Sequence, residues 1–154
     1  MIFSESMKKQ CIIGTVTAAI VLLVVNIGLQ AQSMQFYGAN SQYIGRVEND
    51  GRIYNGSSIN IGRIDSNGRV YNSSSSNVGR IDSDGKVYNG SSSYIGKVES
   101  DGRVYNSSSS YIGKVESDGR VYNSTGSHIG KASGSPIKKE WVAAFYFFFF
   151  TGIT

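Results

Sequence analysis

The chain is poor in the side chains that carry most enzyme chemistry. Its one cysteine, Cys11, lies ahead of an apolar run close to the N-terminus, and its one histidine is His128. A protein exported without that leader would have no thiol, so disulfides are excluded and backbone pairing and side-chain packing must hold the fold. Cys11 precedes the apolar run, which is the wrong place for a lipidated cysteine. A lone histidine with neither a second histidine nor a cysteine gives no nucleophile and base pair. A concentrated basic face is also missing. The net charge of +4 arises at the ends, including Lys131, Lys138 and Lys139, whereas residues 44–128 hold ten Lys or Arg against nine Asp or Glu. Nucleic acid is therefore not an expected partner.

At the N-terminus Lys8 and Lys9 precede an apolar run from Cys11 to Leu29, and Gln30-Ala31-Gln32 offers a small residue for cleavage. This reads as a signal peptide over residues 1–31, with the start read at Met7 and cleavage after Ala31. An uncleaved membrane anchor is the alternative. Export would leave the protein periplasmic, outer-membrane-associated or extracellular.

Residues 33–132 form a repeat domain. Units begin at Ile44, Ile61, Val78, Ile95 and Ile112 with a strict period of seventeen, and a sixth start at Ile129 is cut short. Phe36-Tyr37-Gly38 supplies the second half of an earlier unit. Regular Val and Ile together with ten tyrosines indicate packing despite 19 glycines and many serines. Ser100-Asp101-Gly102 reads as a three-residue hairpin loop with Gly102 in the left-handed region, and the loop recurs in each unit with Asp or Asn before the glycine. That loop sets Glu99 opposite Arg103 as an ion pair, Val98 opposite Val104 and Lys97 opposite Tyr105. Such pairs contribute roughly 0.2 to 1 kcal/mol each, so the hairpins must bury their Val faces together. Ile95 and Val98 would lie on opposite faces of a flat strand, and Gly96 is expected to kink it and turn both inward. The serine tract, Ser107 to Ser110, is expected to cross to the next hairpin as a solvated bend. The alternative architecture is a β-solenoid with one coil per repeat, stacking Arg46, Arg63 and Arg80 in a column.

FYGANSQYIGRVENDGRIYN, the five repeats of the form Ile-Gly-Arg/Lys-Val/Ile-Asp/Glu-x-x-Gly-Arg/Lys-Val/Ile-Tyr-Asn, and the ending IKKEWVAAFYFFFF resemble the 5-fold β-flower proteins, short exported proteins of Bacteroidetes. The resemblance covers nearly the whole chain. It implies an all-β fold of hairpin petals around a pseudo-fivefold axis and brings no assigned biochemical role. If the chain closes on itself, Phe36-Tyr37 would pair beside Ile129 to Ala132 and hide the edge strands.

Four features are candidates for function. Asp82-Ser83-Asp84-Gly85 looks like the start of a calcium loop but lacks the later oxygen ligands, so it reads as turn chemistry with no metal or cofactor. His128 occupies the place of Tyr94 and Tyr111 and reads as a substitution within the repeat. Repeated carboxylates share one environment, whereas glycoside hydrolysis needs two unlike ones, so no enzyme is expected. The series Tyr54, Tyr71, Tyr88, Tyr105 and Tyr122, with Tyr37 ahead of it, offers rings beside amides and hydroxyls. This is a ligand surface suited to polysaccharide, or else simple cover for the sheet.

Residues 133–154 are a basic linker and an aromatic tail. Even as a helix, the fourteen residues from Trp141 to Thr154 would span about 21 Å against a hydrocarbon core of about 30 Å, so they cannot cross a membrane. Trp141, Phe145, Phe147, Phe148, Phe149 and Phe150 are therefore expected to pack on the domain, drive self-association or enter a membrane interface. Lys138 and Lys139 would suit anionic headgroups there. The expected role is a non-catalytic, structural or binding protein of the cell envelope, with glycan binding and membrane association as alternatives.

Overall fold

The computed structural model describes residues 33–151. The expected signal peptide, residues 1–31, lies outside them. Twelve strands follow in order: β1 (Met34–Gly38), β2 (Tyr43–Val47), β3 (Arg52–Asn55), β4 (Asn60–Ile64), β5 (Arg69–Asn72), β6 (Asn77–Ile81), β7 (Lys86–Asn89), β8 (Tyr94–Val98), β9 (Arg103–Asn106), β10 (Tyr111–Val115), β11 (Arg120–Asn123) and β12 (His128–Ser133). Each pairs antiparallel with its neighbours in the chain, and β1 pairs with β12 to close a barrel. The solenoid is thereby excluded, since its neighbouring coils would not run antiparallel.

The Asp-Gly loop sets the register as its chemistry requires. Val98 faces Val104 and Lys97 faces Tyr105, and the Glu99 N–H donates to the Arg103 carbonyl at 2.8 Å. The ion pairs, however, run along each strand rather than across the hairpin. Glu99 pairs with Lys97 at 3.4 Å and Arg103 with Asp101 at 3.4 Å, because residues two apart on a strand point to the same side. Five such hairpins stand side by side. β12 and β1 make a sixth pair, with Phe36 opposite Ala132 and Tyr37 opposite Lys131, so the two half-repeats close the barrel as expected and leave no open edge.

The serine tract crosses to the next hairpin in solvent, as expected, and does so as a second three-residue turn at the opposite end of the barrel, built on the same plan. The Asn106 N–H donates to the Ser110 carbonyl, Ser109 takes the left-handed region with φ 59°, and the Asn106 Oδ1 accepts the N–H groups of Ser108 and Ser110 at 3.0 Å each. The asparagine side chain does for this loop what Asp101 does for the other by accepting the Arg103 N–H.

One end uses glycine in the left-handed region and the other serine, and the surroundings explain why. A Cβ at Gly102 would collide with the carbonyl oxygen of Val115 on the next hairpin. A Cβ at Gly126, which holds the serine position in the last repeat, would meet nothing within 4 Å. Between hairpins the strand slips by one residue at Ile95, where Val87 faces Gly96 but Tyr88 faces Tyr94. This β-bulge, rather than a simple kink at Gly96, brings Ile95 against the core that also holds Val98.

Eight strands enclose a space that wall side chains can fill, whereas sixteen or more leave a channel. Twelve strands bearing Val, Ile and Gly leave a space needing another occupant, and the C-terminal segment supplies it. A short helix, α1 (Lys139–Ala143), runs into a turn of π-helix over Ala144–Phe148. Val142, Ala143 and Ala144 are fully buried, in one core with Val47, Ile53, Val70, Val87, Val104 and Val121.

Candidate functional site

Two sets of aromatic rings were candidates, and the barrel separates them. The tail rings fill the interior and the tyrosine rows stand on the outer surface.

Inside, every repeat presents a glycine and the tail presents one ring to each. A Cβ at Gly130 would lie 2.6 Å from the Tyr146 ring, at Gly113 2.6 Å from Phe147, at Gly96 2.7 Å from Phe148 and at Gly79 2.5 Å from Phe149. Gly62 meets Phe150 at 3.1 Å, and Gly45 meets Phe145 at 3.4 Å. Residues 146 to 150 thus visit alternate strands around the wall in order, and Phe145 takes the remaining place. Six places around a barrel lie about 60° apart, while an α-helix turns about 100° per residue. Loosening to a π-helical turn, seen in the Phe149 N–H donating to the Ala144 carbonyl at 2.9 Å, reduces that mismatch. Phe145 is 2% exposed and stacks on Phe36 with ring centroids 4.0 Å apart.

Tyr146 is the one hydroxylated ring of the six, and it falls at the seam. Its O–H donates to the Tyr37 carbonyl of β1 at 2.7 Å and lies 3.2 Å from the Lys131 carbonyl of β12. Burial pushes the phenol up to about 12.

A family model described as 5-fold beta-flower protein matches residues 32–150, the repeats and the plugging tail together. The chain belongs to the 5-fold β-flower protein family. No curated protein and no solved structure matches it.

On the outside of this β-flower the tyrosine row divides. Tyr88, Tyr105 and Tyr122 each meet the ring that opens the next strand: Tyr94 at 5.9 Å, Tyr111 at 5.9 Å and His128 at 5.7 Å, all edge to face. His128 therefore does the work of a tyrosine in this rim. Tyr54 and Tyr71 instead face Asn60 and Asn77, whose amides fold back toward the carbonyls of Gly62 and Gly79 at 3.4 Å. The missing rings leave two neighbouring grooves. One, of about 480 Å³, is lined by Arg52, Tyr54, Asn60, Arg63, Tyr71 and Asn72 among others. The next, of about 520 Å³, is lined by Arg69, Tyr71, Asn77, Arg80, Asn89 and Ser92. Tyr71 belongs to both.

Charge on this surface is ordered in bands. Across each junction between hairpins cations face one another, as Lys86 faces Lys97 and Arg52 faces Arg63, a repulsive arrangement. On most of these strands a carboxylate two residues away offsets it: Arg46 with Glu48, Arg80 with Asp82, Lys86 with Asp84. Hydrogen bonding to Lys86 holds Asp84 below the usual carboxylate range. Asp84 also accepts the Lys86 N–H, so both carboxylates of Asp82-Ser83-Asp84-Gly85 serve the hairpin, as turn chemistry requires. Three tyrosines carry a guanidinium over the ring, at 4.4 Å for Arg46 on Tyr54, 5.0 Å for Arg63 on Tyr71 and 3.9 Å for Arg80 on Tyr88.

Trp141 sits at the Asp-Gly mouth under the Lys138 ammonium, 3.8 Å from the ring, and Lys139 Nζ donates to the Ser100 carbonyl at 3.0 Å. Lys139 thus docks the tail to a turn, while Lys138 covers the tail's own tryptophan. The match of six tail rings to six glycines was not recognised from the sequence, although both counts stand in it.

Proposed function

We propose that this β-flower is an exported, non-catalytic binding module of the cell envelope whose outer surface takes carbohydrate at Tyr54 and Tyr71. The observation that carries this reading is the pair of grooves in which those two rings lack an aromatic partner across the strand and lie beside amides and hydroxyls, each with a guanidinium over one face. Sugars present apolar ring faces and many hydroxyls, and an aromatic wall flanked by Asn72, Ser73 and Ser75 offers partners to both. Adjacent grooves repeat two strands apart, about 10 Å, so a linear glycan touching both gains avidity from one chain. The near-identical environments of the repeats favour recognition of a polymer over a reaction. Export is supported by Lys8, Lys9, the apolar run to Leu29 and Ala31.

A glycan array tests the reading. Binding should be lost in Tyr54→Ala and Tyr71→Ala and retained in Tyr105→Ala, where the ring is already covered. Equal loss in all three, or no bound glycan at all, would remove the proposal.

A further inference from the structure

The second unit, residues 61–77, departs from its neighbours in charge as well as in shape. Its loop is Ser66-Asn67-Gly68, where the other four have Asp before the glycine. In those four, the loop aspartate accepts the N–H two residues on, as Asp50 does from Arg52 and Asp118 from Arg120, and also pairs with that cation. In the second unit Asp65 performs the capping, its Oδ1 accepting the N–H groups of Asn67 and Arg69 at 2.9 Å each.

Two consequences follow from the one substitution. Arg69 has an amide where Arg52, Lys86, Arg103 and Arg120 have a carboxylate. Arg63 loses the partner that Arg46 finds in Glu48 and Arg80 in Asp82. Among the described residues, Arg63 and Arg69 have no carboxylate within 4.0 Å, whereas each of the other eight cations of the five hairpins has one.

These two arginines stand in the two grooves: Arg63 lines the first, opposite Tyr71 with its guanidinium 5.0 Å from that ring, and Arg69 lines the second, two residues before Tyr71 on the same strand. Asn60, Asn67 and Asn77 thus act together at one place on the barrel: two remove a ring and open the grooves, and the third leaves a guanidinium in each. A guanidinium presents a planar fork of N–H donors that matches a carboxylate in two parallel hydrogen bonds. We infer that the paired grooves recognise an acidic glycan through the carboxylates of its uronic-acid units, Arg63 and Arg69 each taking one and Tyr71 packing against the sugar between them. This rests on the carbohydrate reading above and specifies its ligand class.

The test pairs carboxylated oligosaccharides (galacturonan, mannuronan and hyaluronan) with their methyl esters, titrated calorimetrically into the protein beginning at Gln32. At least one acid form should bind tenfold or more tighter than its ester. Its affinity should fall as salt rises. Arg63→Gln with Arg69→Gln should erase the preference for acid over ester, while Arg103→Gln, whose cation is already paired, should leave it intact. Unchanged urea midpoints would show that all variants are folded. Acid and ester binding alike, or a preference that survives the double substitution, would overturn the charge assignment and leave the carbohydrate reading standing. Binding of no glycan, acidic, esterified or neutral, would overturn both.

Discussion

Replacing Phe145 by alanine removes the most buried ring of the plug, and the packing around it sets the size of the loss. The side chain is 2% exposed, stacks on Phe36 at 4.0 Å and meets Tyr146 edge-on at 5.5 Å. Burying a phenylalanine contributes about 1.5 to 3 kcal/mol, and each favourable ring pair adds about 0.5 to 1.5 kcal/mol. Together these give about 2.5 to 6 kcal/mol, which brackets the range of about 3 to 5 kcal/mol for truncating a core phenylalanine. A domain of this size has about 5 to 15 kcal/mol in all, so the variant should be folded but much weakened. With a urea slope of roughly 2 kcal/mol per molar, the unfolding midpoint should fall by about 2 M. Trp141, the one tryptophan, sits at the mouth of the plug and reports the transition by fluorescence, with circular dichroism following the strands. Phe145→Leu, which keeps most of the volume, should lose less than half as much. A midpoint lowered by under about 0.3 M in Phe145→Ala would refute the reasoning, since it would mean that the ring is not buried between β1 and the tail.

Three further outcomes follow from the same geometry. Gly96→Ala should cost at least about 3 kcal/mol, beyond ordinary overpacking, because the new methyl meets both the Tyr105 carbonyl and the Phe148 ring; chemical denaturation measures it, and Phe148→Ala in the same chain should recover only the part due to the ring. Ser109→Gly should be neutral or stabilising by about 0.5 kcal/mol, since a left-handed L-residue is relieved against a small entropy cost, whereas Gly102→Ser should be strongly destabilising at the other end of the barrel, and thermal melts would separate the two. Tyr146→Phe should cost about 1 kcal/mol at neutral pH for the lost hydrogen bond. Because the folded-state value of this phenol is raised to about 12 from an ordinary 10, the stability from keeping it neutral is complete below pH 10 and lost as pH rises toward 12. The variant should therefore lose less stability than the wild type over that window.

The hairpins were legible because a three-residue Asp-Gly loop leaves one register, from which Val98 opposite Val104 follows, and the closure of Phe36-Tyr37 beside Ile129 to Ala132 was legible from the half-repeats at the two ends. The ion pairs were not, since register alone does not say whether Glu99 turns across to Arg103 or along its strand to Lys97. The serine turns were hidden for a different reason. Serine is not a strong marker of the left-handed region, and only the open space beyond the loop, visible at Gly126, makes it tolerable there. A kink is all that the sequence suggests at Gly96, whereas the glycine leaves room for both the Tyr105 carbonyl and the Phe148 ring, because a long-range contact leaves no local pattern. The tyrosine row was seen whole, and its division needed the register that sets Tyr71 opposite Asn77 but Tyr88 opposite Tyr94.

The central claim is that consecutive tail rings are dealt one to each repeat glycine inside the barrel. Nuclear Overhauser contacts between glycine α-protons and ring protons in isotopically labelled protein measure it directly. The account predicts contacts from Gly130 to Tyr146, Gly113 to Phe147, Gly96 to Phe148, Gly79 to Phe149, Gly62 to Phe150 and Gly45 to Phe145. Tail rings with random-coil shifts and no contact to these glycines, or contacts in another order, would contradict it.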